Sequence, residues 1–66
     1  MTPLEYRLGR KALRLTQAEL AQRLQLNVHT IARRERGEMV ITREAELALR
    51  LLLNNRSRLD SLAAKD

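Results

Sequence analysis

A chain of 66 residues makes one small domain, of the size at which a second subunit often supplies stability that a single core cannot. It carries 13 Lys+Arg against 8 Asp+Glu, a net charge of +5, which points to a polyanionic partner. With no cysteine it has neither a disulfide framework nor a thiolate metal site, and with Tyr6 as its only aromatic residue it has no platform for stacking unpaired bases.

Eleven of the basic residues are arginine, whose planar fork suits phosphates and the edge of guanine, so duplex DNA is the expected partner. The opening MTPLEYRLGRK lacks the apolar core of a signal peptide. Apolar runs such as Leu51 to Leu53 are far too short to cross a bilayer, and a cytoplasmic location is expected, with no membrane partner.

Helix punctuation runs along the whole chain. Thr2, Pro3 and Glu5 read as N-cap, N1 and closing residue of a capping box, which starts a helix expected to reach about Arg14. Thr16 and Glu19 repeat the box and open a second helix ending near Leu24. Asn27 caps a third, which Gly37 stops. Thr42 caps a fourth that continues through ELALRLLL to about Leu53. Asn54 and Asn55 then signal a break before a short last helix from Ser57; one longer helix is the alternative. No stretch alternates as a strand would. The expected architecture is all-α: one domain over residues 1–66, a compact four- or five-helix bundle.

On the third helix, at about 100° of rotation per residue, Val28, His29, Ala32, Arg33 and Arg36 share one side and Ile31, Arg34 and Glu35 the other. An apolar stripe this thin cannot hold a helix alone, so Ile31 is expected to lean on Leu20, Ala21 and Leu24 of the second helix, with Leu26 plugging the corner.

The stretch QAELAQRLQLNVHTI resembles the helix-turn-helix of phage repressors and Cro proteins, the lambda-repressor-like or xenobiotic-response-element family. The likeness extends back through LRLTQ and forward through ERGEMVITREAELALR, over roughly residues 4 to 52. It implies a small residue where the second and third helices cross (Ala21), a β-branched anchor (Ile31), an apolar residue after the turn (Leu26) and a structural ion pair between Arg10 and Glu35. Two positions depart from the family. Gln25 stands where glycine is usual, at a cost of about 1–2 kcal/mol if the backbone there is left-handed. Arg34 replaces Trp or another apolar residue; its stem can cover the core while its guanidinium reaches solvent or a phosphate.

The resemblance implies that the third helix enters the major groove while the start of the second faces phosphates. Arg33 is then the expected sequence reader, its fork donating to O6 and N7 of guanine, worth about 1–3 kcal/mol of discrimination. Val28 would rest on a thymine methyl group, and His29 would bond a base or phosphate. A lone histidine without cysteine leaves no metal site. Asn27 serves first as N-cap and second as a base contact. Thr16 and Gln17, at the start of the second helix, and Thr30, Arg36 and Arg43 are expected phosphate contacts, with solvated surface as the plainer alternative.

In the fourth helix Ala45, Leu47, Ala48, Leu49, Leu51, Leu52 and Leu53 exceed the roughly 100° stripe that one core can cover. A homodimer seam in residues 43–66, built on Leu49, Leu52, Leu53, Leu59 and Leu62, is expected; a last helix folding back over the excess is the alternative. Two-fold pairing would set two recognition helices about 34 Å apart on successive major grooves. Helix one carries a second apolar edge, Leu4, Leu8 and Ala12. The function expected is a sequence-specific DNA-binding regulator, a dimeric (auto)repressor on a palindromic operator, needing no cofactor or small-molecule effector. The alternative is an antitoxin or other protein-interaction module using the leucine-rich face. A basic helix lying on membranes fits poorly, because Arg33, Arg34 and Arg36 lack a bulky apolar face behind them. No enzyme is expected: there is no His/carboxylate cluster, and Gly9 and Gly37 are isolated.

Overall fold

Two capping boxes set the first two helices. The Thr2 hydroxyl accepts from Glu5 N at 3.1 Å while the Glu5 carboxylate accepts from Thr2 N at 2.8 Å, and α1 runs Pro3–Ala12. Thr16 and Glu19 exchange the same bonds at 3.1 and 2.9 Å, opening α2, Gln17–Leu24. Asn27 Oδ1 accepts from His29 N at 2.8 Å and starts α3, Val28–Glu35. Thr42 Oγ1 accepts from Ala45 N at 3.2 Å at the head of α4, Arg43–Ala63. Each cap satisfies donors that the first helical turn would otherwise leave unpaired. The computed structural model describes residues 1–63, with side chains to residue 56, and among these residues there are four helices and no strand.

The first three helices end alike. Leu15 N reaches Arg10 O and Arg14 N reaches Lys11 O; Leu26 N reaches Ala21 O and Gln25 N reaches Gln22 O; Glu38 N reaches Arg33 O and Gly37 N reaches Arg34 O. This nested pair of hydrogen bonds is the Schellman motif, whose pivot residue is left-handed. The pivots are Arg14 (φ 59°), Gln25 (φ 57°) and Gly37 (φ 77°). α1 therefore stops at Ala12, short of Arg14, because the chain must reverse there to bury Leu13 and begin α2. Gln25 adopts the left-handed backbone itself, so the turn keeps its shape without glycine. Leu26, drawn back onto Ala21 O by the motif, is left 37% exposed, so it fills the corner only in part.

Tyr6, Leu20, Ile31 and Leu49 are fully buried, joined by Leu13 and Ala21, with Met1, Leu15, Leu24, Ile41, Leu52 and Leu53 packed around them. Ile31 joins α3 to α2 in a helix-turn-helix pair, and α1 lies against both α3 and α4. Gly9 lets α4 come close, since a Cβ there would stand 2.9 Å from Leu49 Cδ2. Arg34 closes the core over Tyr6. Its Nη1 donates to Tyr6 Oη at 3.0 Å, its Cζ lies 5.7 Å from the Tyr6 ring centroid, and its Nε is buried without a partner. The guanidinium lies over the ring and bonds its hydroxyl, because Tyr6 offers both a π face and an acceptor, while the residue keeps part of its surface in solvent.

α4 is one helix through Asn54 and Asn55, so among the described residues no fifth helix folds back over its leucines. Asparagine costs an interior position only about 0.7 kcal/mol, and with no glycine or proline nearby nothing breaks the ladder. Leu49, expected in a subunit seam, is fully buried in the core. Leu52 and Leu53 are half-buried against that core, while Leu47 (51%) and Leu51 (60%) are exposed. The side chains of Leu59 and Leu62 lie outside the described residues.

Candidate nucleic-acid interface

α3 presents two unlike faces. Ile31, Arg34 and Glu35 are tied into the fold, and opposite them Val28, His29 and Arg33 are exposed together. Val28, 38% exposed, is an apolar side chain on the first turn that the core does not use. Arg33 makes no hydrogen bond or ion pair with any described residue, so its fork is available to a ligand. Asn27 is exposed with its carbonyl oxygen committed to the cap.

Behind this surface sits a polar clamp. Arg10 Nε donates to Glu35 Oε2 at 2.7 Å and Nη2 to Oε1 at 3.0 Å, a bidentate pair, while Nη1 donates to Leu15 O at 2.9 Å. Gln17 Nε2 adds a bond to Glu35 Oε1 at 3.3 Å. The side chains of Arg10 and Glu35 are 12% and 5% exposed. Burial pushes the Glu35 carboxyl up, but hydrogen bonds from Arg10 and Gln17 and the charges of Arg10 and Arg7 outweigh it and hold the group below its ordinary value. The Glu35 hydrogen bond raises Arg10 in return. The clamp joins α1, the start of α2 and the last residue of α3, so it fixes the height at which α3 stands.

Gln17 belongs to this clamp through one amide hydrogen directed to Glu35, and it stands at the α2 N-terminus, where the helix dipole favours an anion. Thr16 spends its hydroxyl on the capping box. Thr30 is half-buried. Arg36 pairs with Glu38 at 2.9 and 3.3 Å but stays 60% exposed, so it is the expected phosphate clamp already holding a carboxylate. Arg43 is exposed at the first position of α4.

Arg7 went unremarked in the sequence, although its charge is felt at Glu35. The signal that would have found it is its spacing to Lys11 and Arg14, four and seven residues on, all exposed. Among the described residues no group of three His, Cys, Asp or Glu could hold a metal ion, and no helix is long and apolar enough to cross a membrane. Comparisons with protein-family models, curated proteins and solved structures return no match to this chain, so the functional reading rests on the geometry of α2 and α3.

Proposed function

We propose that the protein is a sequence-specific double-stranded DNA-binding regulator of the lambda-repressor-like helix-turn-helix kind, a dimeric (auto)repressor of the cytoplasm acting on an inverted-repeat operator. The observation that carries this reading is the division of α3: one face locked to the fold through Ile31, Arg34 and Glu35, the other offering Val28, His29 and an Arg33 without a partner among the described residues to an approaching surface. Side chains reaching into a major groove need this support, because base readout depends on placing a few donors to within hydrogen-bond reach. Arg33 would donate its two bonds to guanine and Val28 would meet a thymine methyl group. Gln17 and the amides of the α2 start would take a phosphate, with Thr30, Arg36 and Arg43 adding backbone contacts. No catalytic step, cofactor or effector is part of this reading.

Selection from random duplex DNA tests it: the parent should enrich a palindrome whose half-sites lie one helical turn apart. Arg33→Ala should relax preference at one base pair of each half-site by about 1–3 kcal/mol, and Gln17→Ala should weaken all sequences alike. Enrichment of no motif, or identical motifs from the parent and Arg33→Ala, contradicts the assignment. The exposed Leu47 and Leu51 favour a second reading, an antitoxin or other module whose outer α4 face covers a partner protein. That reading predicts a motif-free selection and a protein that assembles only with its partner.

A further inference from the structure

α1 carries a run of cations that the groove-facing surface does not absorb. Arg7 and Lys11 are exposed four residues apart on one edge of the helix, and Arg14 follows, exposed, at the left-handed pivot two residues before the Thr16 cap of α2. Lys11 and Arg14 make no side-chain hydrogen bond or ion pair with any described residue. Arg7 has only the distant influence of Glu35, whose carboxylate is already taken by Arg10 and Gln17. Like charges four apart on a helix repel, and no carboxylate among the described residues pairs with them. This edge adjoins Arg10, which reaches from α1 to Leu15 O and Glu35, so it borders the clamp that holds α2 and α3.

We propose that Arg7, Lys11 and Arg14 form a second backbone-gripping surface, which engages DNA phosphates beside the segment that α3 enters. The proposal rests on the DNA-binding reading and extends its footprint to a helix that reads no bases. The occupant is chosen by charge: three cations unpaired among the described residues, two of them arginines suited to bidentate phosphate contact, on a chain of net charge +5. A plainer role competes with it, since Lys11 lies in the last turn of α1 and Arg14 two residues past its end, where cations favour the helix dipole. The dipole role predicts an effect on stability alone, and the phosphate role predicts an effect on binding.

The test measures affinity as a function of salt on two duplexes, one enriched by selection and one of scrambled sequence. In the variant Arg7→Gln/Lys11→Gln/Arg14→Gln, the slope of log affinity against log salt should become shallower by about 0.9 for each phosphate no longer gripped, on both duplexes, with base preference unchanged. Arg14→Gly is the second variant. It relieves the left-handed residue and so keeps the fold, yet its slope should be shallower by about the share of a single phosphate. Arg50→Gln, at an exposed α4 cation already paired with Glu46, should leave the slope as in the parent. A triple variant that binds both duplexes with the parent's affinity and slope, losing only thermal stability, overturns the proposal and leaves the groove reading intact. A loss confined to the selected duplex also overturns it, since backbone contacts do not discriminate. A parent that binds neither duplex removes the DNA reading and this edge with it.

Discussion

Glu35 is bound from two elements at once, by the Arg10 fork and by the Gln17 amide, and is nearly out of solvent. A domain of this size stands on roughly 3–10 kcal/mol in total. Removing one member of a buried pair typically costs about 3–5 kcal/mol, because the remaining charge is stranded, so Arg10→Met should bring the protein to the edge of unfolding at room temperature. Replacing both members, Arg10→Met/Glu35→Met, should recover most of that loss in urea titrations; a double variant as unstable as the single one contradicts this account. The same pair sets a pH dependence. The Glu35 pKa is lowered on folding, so its contribution is complete above the ordinary value near 4.5 and is lost as pH falls through the folded value. Glu5, Glu19 and Glu46 are lowered too, by the Thr2 and Thr16 backbones and by the terminal amine, and add to the loss in the same window. Glu35→Gln should therefore show a shallower fall in stability below pH 4.5 than the parent, and an equally steep fall would remove Glu35 from the explanation.

At the level of elements, three successive helices close with one motif, and only the third has glycine at the pivot. A left-handed L-residue is strained by about 1–2 kcal/mol, while glycine loosens the unfolded chain by about 0.4–1 kcal/mol, leaving a net gain near 0.5–1 kcal/mol for Gln25→Gly. At about 4–8 °C per kcal/mol for such a domain, calorimetry should find the midpoint raised by roughly 2–8 °C; a lowered midpoint would mean that the Gln25 side chain makes a contact worth more than its strain. The same motif explains which boundaries the sequence reveals. Helix starts are legible because Thr2, Thr16, Asn27 and Thr42 act on amides two or three residues away, all within a short window of sequence. The α1 end is not, because Arg14 carries none of the chemistry that usually announces a left-handed pivot. The α3 faces follow from period alone, and so the exposed trio Val28, His29 and Arg33 is readable beforehand. The same period places Arg34 on the fold-facing side but cannot name its partner, since Tyr6 lies 28 residues away and no local pattern brings the two together. Leu49 fails likewise: which of the α4 leucines enters the core is decided by the close approach at Gly9.

For the whole molecule, the question is whether two copies hold together. The apolar side chains left outside include Leu47 and Leu51 on α4 and Leu4 and Leu8 on α1, each more than half exposed. Fully burying a leucine contributes about 1.5–3 kcal/mol, so covering these half-covered α4 leucines on both subunits contributes about 3–6 kcal/mol. Association itself costs about 4–15 kcal/mol, so the described α4 leucines alone yield a weak dimer at best. The free protein is therefore expected to be largely monomeric when dilute and to pair on DNA, where each half-site holds its subunit and raises the effective concentration of the other. Sedimentation equilibrium should show a shallow monomer–dimer transition, abolished in Leu47→Lys/Leu51→Lys with no loss of thermal stability, since neither side chain belongs to the core. Binding to an intact palindrome should be cooperative for the parent and not for that variant. Moving the half-sites apart by about half a helical turn should abolish cooperativity in the parent as well, because a two-fold pair cannot reach grooves on opposite sides of the duplex. Cooperativity that survives either change would place the subunit contact on another surface, with the α1 edge of Leu4 and Leu8 the next to mutate.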